Sequence, residues 1–208
     1  MYSLLAIPLL HFTLQPHKSK WVHIHFWVNM IITWLTWSTV VDFFACPLCD
    51  HQSHNLTPSL LVLALHLYHV GWYPCVRLDY IHHIVMCSLL VIPLLAGEPA
   101  IIAFCNFVLF FMCGLPGGID YFNMYLVYTD RLAGITEKRI NSWLNIWLRA
   151  PGILFATFIC WTKFMTDGLP LIYVLPCLLA FFWNAQYFSR EVCISYGRHS
   201  SHSAGISS

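Results

Sequence analysis

The segment Arg77–His83 combines one cation, one carboxylate and two adjacent imidazoles between two long apolar stretches. Ionisable side chains at membrane depth are costly, so they indicate a functional site by default. Asp79 precedes His82 by three residues and His83 by four, so on a helix its carboxylate can reach either ring. A carboxylate that orients an imidazole and raises its basicity is a general-base arrangement. The alternative is a pair of interfacial histidines whose nitrogens bind water and backbone carbonyls.

Two more histidines precede this segment. His66 and His69 are three residues apart and share one face of a helix. With His82 or His83 they would form a cluster across two helices, suited to iron, haem or proton transfer. The alternative, which we favour, is interhelical hydrogen bonding worth about 1 kcal/mol for each histidine. The chain has no Glu-x-x-His pair typical of di-iron sites, and the 66–70 segment lacks the second adjacent histidine of a desaturase box.

A polar loop holds a second group of candidate metal ligands, namely Cys46, Cys49, His51 and His54. Cys-x-x-Cys is a standard zinc half-site, but the second pair of ligands normally follows a dozen or more residues later. Three alternatives remain open: a zinc ion, a disulfide within the loop, and an unligated polar loop. We favour the unligated loop.

Composition places the whole chain in a membrane. Of its 208 residues, 59% are hydrophobic and 9% are charged, and the mean hydropathy is +0.67. Soluble domains carry about 25% charged residues. The net charge of +1 provides no basic surface for phosphates, which argues against a nucleic-acid partner.

Apolar segments predict an all-α membrane protein with six to seven transmembrane helices. Residues 1–20 form a marginal helix followed by a basic loop, and the Ser/His-rich tail 197–208 is predicted to be disordered. The breakers in Gly114–Gly118 predict the end of a helix, and we expect 119–139 to be re-entrant or interfacial. The predicted spans are residues 2–15, 21–45, 58–76, 80–97, 99–115, 141–164 and 169–193.

Basic residues then predict the orientation, because loops on the cytoplasmic side are enriched in Lys and Arg. One side of this arrangement receives only Lys163. The C-terminus is therefore expected in the cytosol, or in the matrix if the protein is mitochondrial. The basic residues on that side are Lys18, Lys20, Arg77, Arg131, Lys138, Arg139, Arg190 and Arg198.

From about residue 21 to residue 196 the chain resembles the TLC-domain family, which includes ceramide synthases, the translocating-chain-associated membrane protein and lipid-homeostasis proteins. The resemblance rests first on Leu78–His83, which is similar to the family's Asp and His-His motif at the start of a span. It is supported by Pro116–Tyr125, Asn141–Arg149 and Phe182–Phe188. The chain departs from ceramide synthases downstream of the histidines, where the next carboxylates are Glu98, Asp120 and Asp130 and the nearest cation is Arg131.

The resemblance implies a bundle of six helices around a lipid cavity, usually with one extra N-terminal helix, in the endoplasmic reticulum. It implies lipid handling, with acyl transfer of the ceramide-synthase type from acyl-CoA and without a cofactor. His82 or His83 would be the general base or the acyl acceptor, Asp79 would orient it, and Asp120 would supply a second acid group. The alternative function is a non-catalytic accessory subunit of a larger membrane complex, such as a respiratory assembly of the mitochondrial inner membrane. Such a subunit would bind structural lipids and other subunits.

Overall fold

The computed structural model describes residues 20–167 and 171–205, and within these ranges it contains helices and no β-strand. The prediction of an all-α protein is confirmed. The predicted N-terminal helix lies almost entirely outside the described residues. The helices are α1 (Lys20–Ala45), α2 (Thr57–Trp72), α3 (Arg77–Ala96), α4 (Pro99–Leu109), α5 (Leu115–Tyr128), α6 (Gly134–Leu144), α7 (Ala150–Asp167) and α8 (Leu171–Gly205).

Two π-helical segments make longer rods of these helices. Phe110–Gly114 joins α4 to α5, and Asn145–Arg149 joins α6 to α7, so the described residues form six continuous rods. Three rods contain a stretch long and apolar enough to cross a membrane: Lys20–Ala45, Pro99–Tyr128 and Gly134–Lys163. The chain divides into two compact units, residues 1–118 and residues 119–208.

Helix α1 shows why a bilayer is the natural solvent of the first unit. Its polar side chains His25, Asn29, Thr33 and Thr36 are buried, and the two threonine hydroxyls donate to carbonyls of the preceding helical turn. The opposite face exposes large apolar groups, with Trp34 81% exposed. An apolar exterior around a partly polar interior is costly in water and stable in lipid. The exposed large side chains of this helix are Trp27, Ile31, Trp34, Trp37, Val41 and Phe44.

The predicted helix break at Gly114–Gly118 does not occur. The rod continues through it to Tyr128, and a turn at 129–133 precedes α6, so residues 119–128 extend the preceding helix and do not form a separate segment. The π segment accounts for this continuity, because it locally relaxes the helical hydrogen bonding into which Pro116 would otherwise not fit. The glycines serve a close helix contact, since a Cβ at Gly117 would lie 2.8 Å from Asn29 Nδ2 of α1.

We therefore expect Gly117→Val to lower the free energy of unfolding by about 1–3 kcal/mol, because the added side chain overpacks the contact with α1. Unfolding in detergent, followed by circular dichroism, measures this change. Gly71→Val is the matched control, because no atom lies within 4 Å of a Cβ at Gly71. Equal stability of the two variants would show that the close approach of α1 is absent.

The second unit packs the α6–α7 rod against α8. Its core consists mainly of small and β-branched side chains contributed by α7 and α8, together with the ring of Phe181. Helix α8 continues to Gly205, so residues 197–205, for which the sequence predicts a disordered tail, are helical in the structure. The buried core residues of this pair are Ala150, Ile153, Ala156, Ile159, Cys160, Val174, Phe181 and Ala185.

Candidate functional site

The candidate site lies in the first unit, where α2 and α3 form a hairpin and α1 packs against α2. Helix α2 ends at Trp72, and Pro74 in the connecting turn cannot continue a helix. The turn reverses the chain within four residues, 73–76, so the end of α2 lies beside the start of α3. This hairpin brings His66 and His69 next to His82 and His83.

Imidazoles from three helices meet there, and we call them the histidine cluster: His25, His66, His69, His82 and His83. The ring centre of His83 lies 4.9 Å from that of His66 and 4.9 Å from that of His69. His82 lies 5.5 Å from both His66 and His83, and His25 lies 5.6 Å from His69. The structure therefore forms the cluster that the sequence analysis treated as the less favoured alternative.

His83 is the most unusual member of the histidine cluster. Its side chain is 7% exposed, and neither ring nitrogen has a hydrogen-bond partner among the described residues. A buried polar group without a partner costs about 1–3 kcal/mol. An unpaired group of this kind in a packed interior calls for an explanation such as a ligand or a chemical role.

Two other members have their orientation fixed by their own helices. His25 Nδ1 lies 2.7 Å from the carbonyl oxygen of Trp21, and His66 Nδ1 lies 2.8 Å from that of Val62. A carbonyl can only accept, so Nδ1 carries the proton in both rings, and Nε2 is the basic nitrogen. Backbone carbonyls fix histidine ligands of metals in the same way. His66 therefore bonds within α2 and presents Nε2 away from the helix backbone.

Asp79 stabilises the start of α3. Its Oδ2 accepts a hydrogen bond of 2.9 Å from the backbone N–H of Val76, three residues earlier. This is half of a capping box, in which the third helical residue reaches back to the capping position. Among the described residues no hydrogen bond joins Asp79 to His82 or His83, so its predicted role of orienting an imidazole has no hydrogen bond to support it in this structure.

We expect Asp79→Ala to lower the free energy of unfolding by about 0.5–2 kcal/mol through loss of this cap. Asp79→Asn keeps an acceptor oxygen and should retain most of that stability. Thermal unfolding of the variants in detergent measures the difference. Equal losses for the two substitutions would mean that the charge of Asp79, rather than its hydrogen bond, stabilises the hairpin.

The ring nitrogens also form groups of candidate metal ligands. Potential ligand atoms of His66, His82 and His83 lie within 4.8 Å of one another, and so do those of His69, Cys75 and His83. Cys75 belongs to the turn between α2 and α3, and its thiol donates to the carbonyl of Tyr73 at 3.6 Å. Burial and the neighbouring Asp79 carboxylate raise the pKa of the Cys75 thiol. No local pattern in the sequence links Cys75 to the histidines, and only the folded hairpin places its thiol near His69 and His83.

The polar loop contains the other candidate metal ligands, Cys46, Cys49, His51 and His54. Cys46 and Cys49 form a disulfide, so neither thiolate is available to a zinc ion, and the disulfide is the alternative that the structure supports. His51 Nε2 lies 2.7 Å from the carbonyl oxygen of Cys46, and His54 is exposed. The four residues therefore do not form a metal site in this state.

Asp120 belongs to the second unit. Its Oδ1 is buried without a hydrogen-bond partner among the described residues, and so is Oε1 of Glu137. The charges of Glu137, Lys138 and Arg149 act on the Asp120 carboxyl. Arg149 donates to Asn184 at 2.6 Å and lies 4.7 Å from the centre of the Phe188 ring. The segments Asn141–Arg149 and Phe182–Phe188 thus meet in this unit.

Two cavities of about 280 and 310 Å³ also lie in the second unit. The first is lined by Lys138, Asn141, Glu191, Val192 and Ser195. The second lies along α6 and the following π segment, with Trp143 and Trp147 in its wall. Neither cavity is lined by a histidine, so the predicted lipid cavity beside His82 and His83 is not among them.

Comparison with protein-family models, with curated proteins and with solved structures gives no match for this chain. The fold and the site alone define its class. The described part of the chain is helical, with three helices long and apolar enough to cross a membrane and a cluster of histidines in the first unit.

Proposed function

We propose that the chain is a multi-pass membrane protein of lipid metabolism that transfers an acyl group at the histidine cluster. The observation that supports this most is the position of His82. Its ring is half-buried and lies 5.5 Å from both His66 and His83. Val85, one turn further along the same face of α3, is exposed, so a substrate in the membrane could approach this face. His83 is enclosed, and we assign the role of general base to His82.

The chemistry needs two substrates, an acyl thioester such as acyl-CoA and a lipid with an amine or a hydroxyl group. The basic nitrogen of His82 takes the proton of the lipid's amine or hydroxyl group. The nitrogen or oxygen of that same lipid group attacks the thioester carbonyl. A C–N or C–O bond forms and the C–S bond breaks. The leaving thiolate then takes the proton from the imidazolium, which restores the neutral ring.

The proposed topology puts all six rods across the membrane, with the C-terminus in the cytosol or the matrix. Residues 119–128 belong to the same rod as the preceding helix. With this rod counted as one crossing, the basic residues stay on the side that the sequence predicts. The turn 73–76, the turn 129–133 and the end of α8 then face the basic side, while Asp50 and Glu98 face the other. The TLC-like resemblance favours the endoplasmic reticulum, and the mitochondrial inner membrane is the alternative.

The test is a reconstituted assay. The full chain is placed in phospholipid vesicles with isotope-labelled acyl-CoA of several chain lengths and a panel of amine and hydroxyl lipids. Mass spectrometry then follows the labelled product. We expect an acylated lipid that forms in proportion to the amount of protein. A panel that yields no labelled product above empty vesicles would overturn the proposal.

A second candidate function is an accessory subunit of a larger membrane complex. The observation that favours it is the apolar surface of the described helices, on which large side chains such as Trp143 and Trp147 are exposed. Exposed apolar surface of this kind suits lipid or a neighbouring subunit. Purification of the tagged chain in mild detergent separates the two functions. Stoichiometric co-purification of other membrane proteins supports the subunit, and an isolated chain with acyl-transfer activity supports the enzyme.

A further inference from the structure

We propose that His69, Cys75 and His83 bind a zinc ion at the α2–α3 hairpin. One ligand comes from the last turn of α2, one from the connecting turn and one from α3. A potential ligand atom of each lies within 4.8 Å of those of the other two. Atoms at such separations can surround one ion after small side-chain adjustments, because zinc ligands lie about 2.0–2.3 Å from the metal.

The ligand types select the metal. Two imidazoles and one thiol are the donors that zinc takes in proteins, while calcium and magnesium need oxygen ligands. No carboxylate belongs to the group, so it differs from the site of two histidines and one carboxylate that is typical of non-haem iron. Three protein ligands would leave the fourth tetrahedral position open to water or to a substrate oxygen.

His83 is a second, independent observation that points to a ligand. Its ring is more than nine-tenths buried, and both nitrogens are unpaired among the described residues. Coordination by a ring nitrogen would remove part of the cost of burying this group. Cys75 would bind as the thiolate, because a bound cation displaces the thiol proton.

The alternative group of His66, His82 and His83 shares His83 with this one, so the two groups compete for that ring. We favour the group with Cys75 because a thiolate adds a charged ligand that neutral imidazoles lack. This choice also leaves His82 available as a base. The zinc site does not depend on the proposed acyl transfer, since metal content is measured without any lipid substrate.

The test uses the full chain, purified in detergent without chelators and then saturated with zinc or cobalt. Mass spectrometry of the metal content should give one zinc per chain. Cobalt should give a thiolate-to-metal charge-transfer band in the near ultraviolet. Cys75→Ser should abolish this band, whereas Cys87→Ser is the matched control because Cys87 is a half-buried thiol of α3 outside the group.

A second variant separates ligation from folding. Cys75→His replaces one ligand by another, so it should keep zinc while losing the charge-transfer band. His69→Ala should lose the metal with its helical circular dichroism retained. The proposal is overturned if the wild type holds no zinc, if Cys75→Ser keeps the cobalt band, or if His66→Ala releases the metal and His69→Ala does not.

Discussion

Replacing His83 with leucine is expected to raise the free energy of unfolding of the metal-free protein by about 1–3 kcal/mol. Both ring nitrogens of His83 are buried without partners among the described residues, so the folded state bears their desolvation cost and gains no hydrogen bond in return. Leucine fills a similar space with apolar atoms, and the cost disappears. Most substitutions of buried residues destabilise, so a gain at this position would be a distinctive result.

Chemical unfolding in detergent with a chelator present measures this gain. His66→Leu is the matched control, because the His66 ring donates to the Val62 carbonyl, and losing that bond should cost about 0.5–1.5 kcal/mol. With zinc added, the wild type should have a higher free energy of unfolding than His83→Leu, which reverses the order expected without metal. A ligand at 100 times its dissociation constant stabilises the protein that binds it by about 2.7 kcal/mol. If His83→Leu lowered the free energy of unfolding in the absence of metal, the conclusion that the ring nitrogens of His83 are unpaired would be contradicted.

The second large effect concerns activity. We expect His82→Ala to lower the rate of acyl transfer about 10²- to 10⁴-fold, because general bases contribute on that scale. The helices should remain intact, since the ring is only half-buried. The effect should appear in kcat, because the base acts on the proton of the acceptor rather than on binding of the acyl chain.

The vesicle assay with labelled acyl-CoA measures this rate. His54→Ala is the control, because His54 is exposed in the loop before α2 and lies outside the histidine cluster. Its rate should equal that of the wild type. A His82→Ala variant with undiminished turnover would remove the imidazole from the mechanism and favour the accessory-subunit function.

Composition and the lengths of the apolar segments were enough to predict the helical class and most helix positions. The predicted spans 21–45 and 80–97 differ from Lys20–Ala45 and Arg77–Ala96 by only a few residues. The spacing of His66 and His69 also identified two members of the histidine cluster. These predictions succeed because helix periodicity and membrane cost are local properties of the sequence.

The remaining features depend on tertiary contacts. The low helix propensity of glycine at position 117 predicts a helix break. In the structure Gly117 instead lets Asn29 of α1 pack closely against the helix, and no local sequence pattern indicates this contact. The carboxylate of Asp79 is within helical reach of two imidazoles, but in the structure it accepts a hydrogen bond from the backbone N–H of Val76 at the start of α3. Cys75 becomes a candidate ligand only after the hairpin folds. The position of Asp79 in the first turn of a predicted helix, where acidic side chains are favoured, could have indicated the role of the aspartate beforehand.

The most direct test of the whole account is an experimental map of the full chain, purified from membranes without chelators. The account predicts that His66 and His83 are in ring contact, that an ion lies between His69, Cys75 and His83, and that lipid lies against the exposed side of His82. A map in which α2 and α3 hold these rings apart, with no ion and with His82 packed against protein side chains, would contradict it.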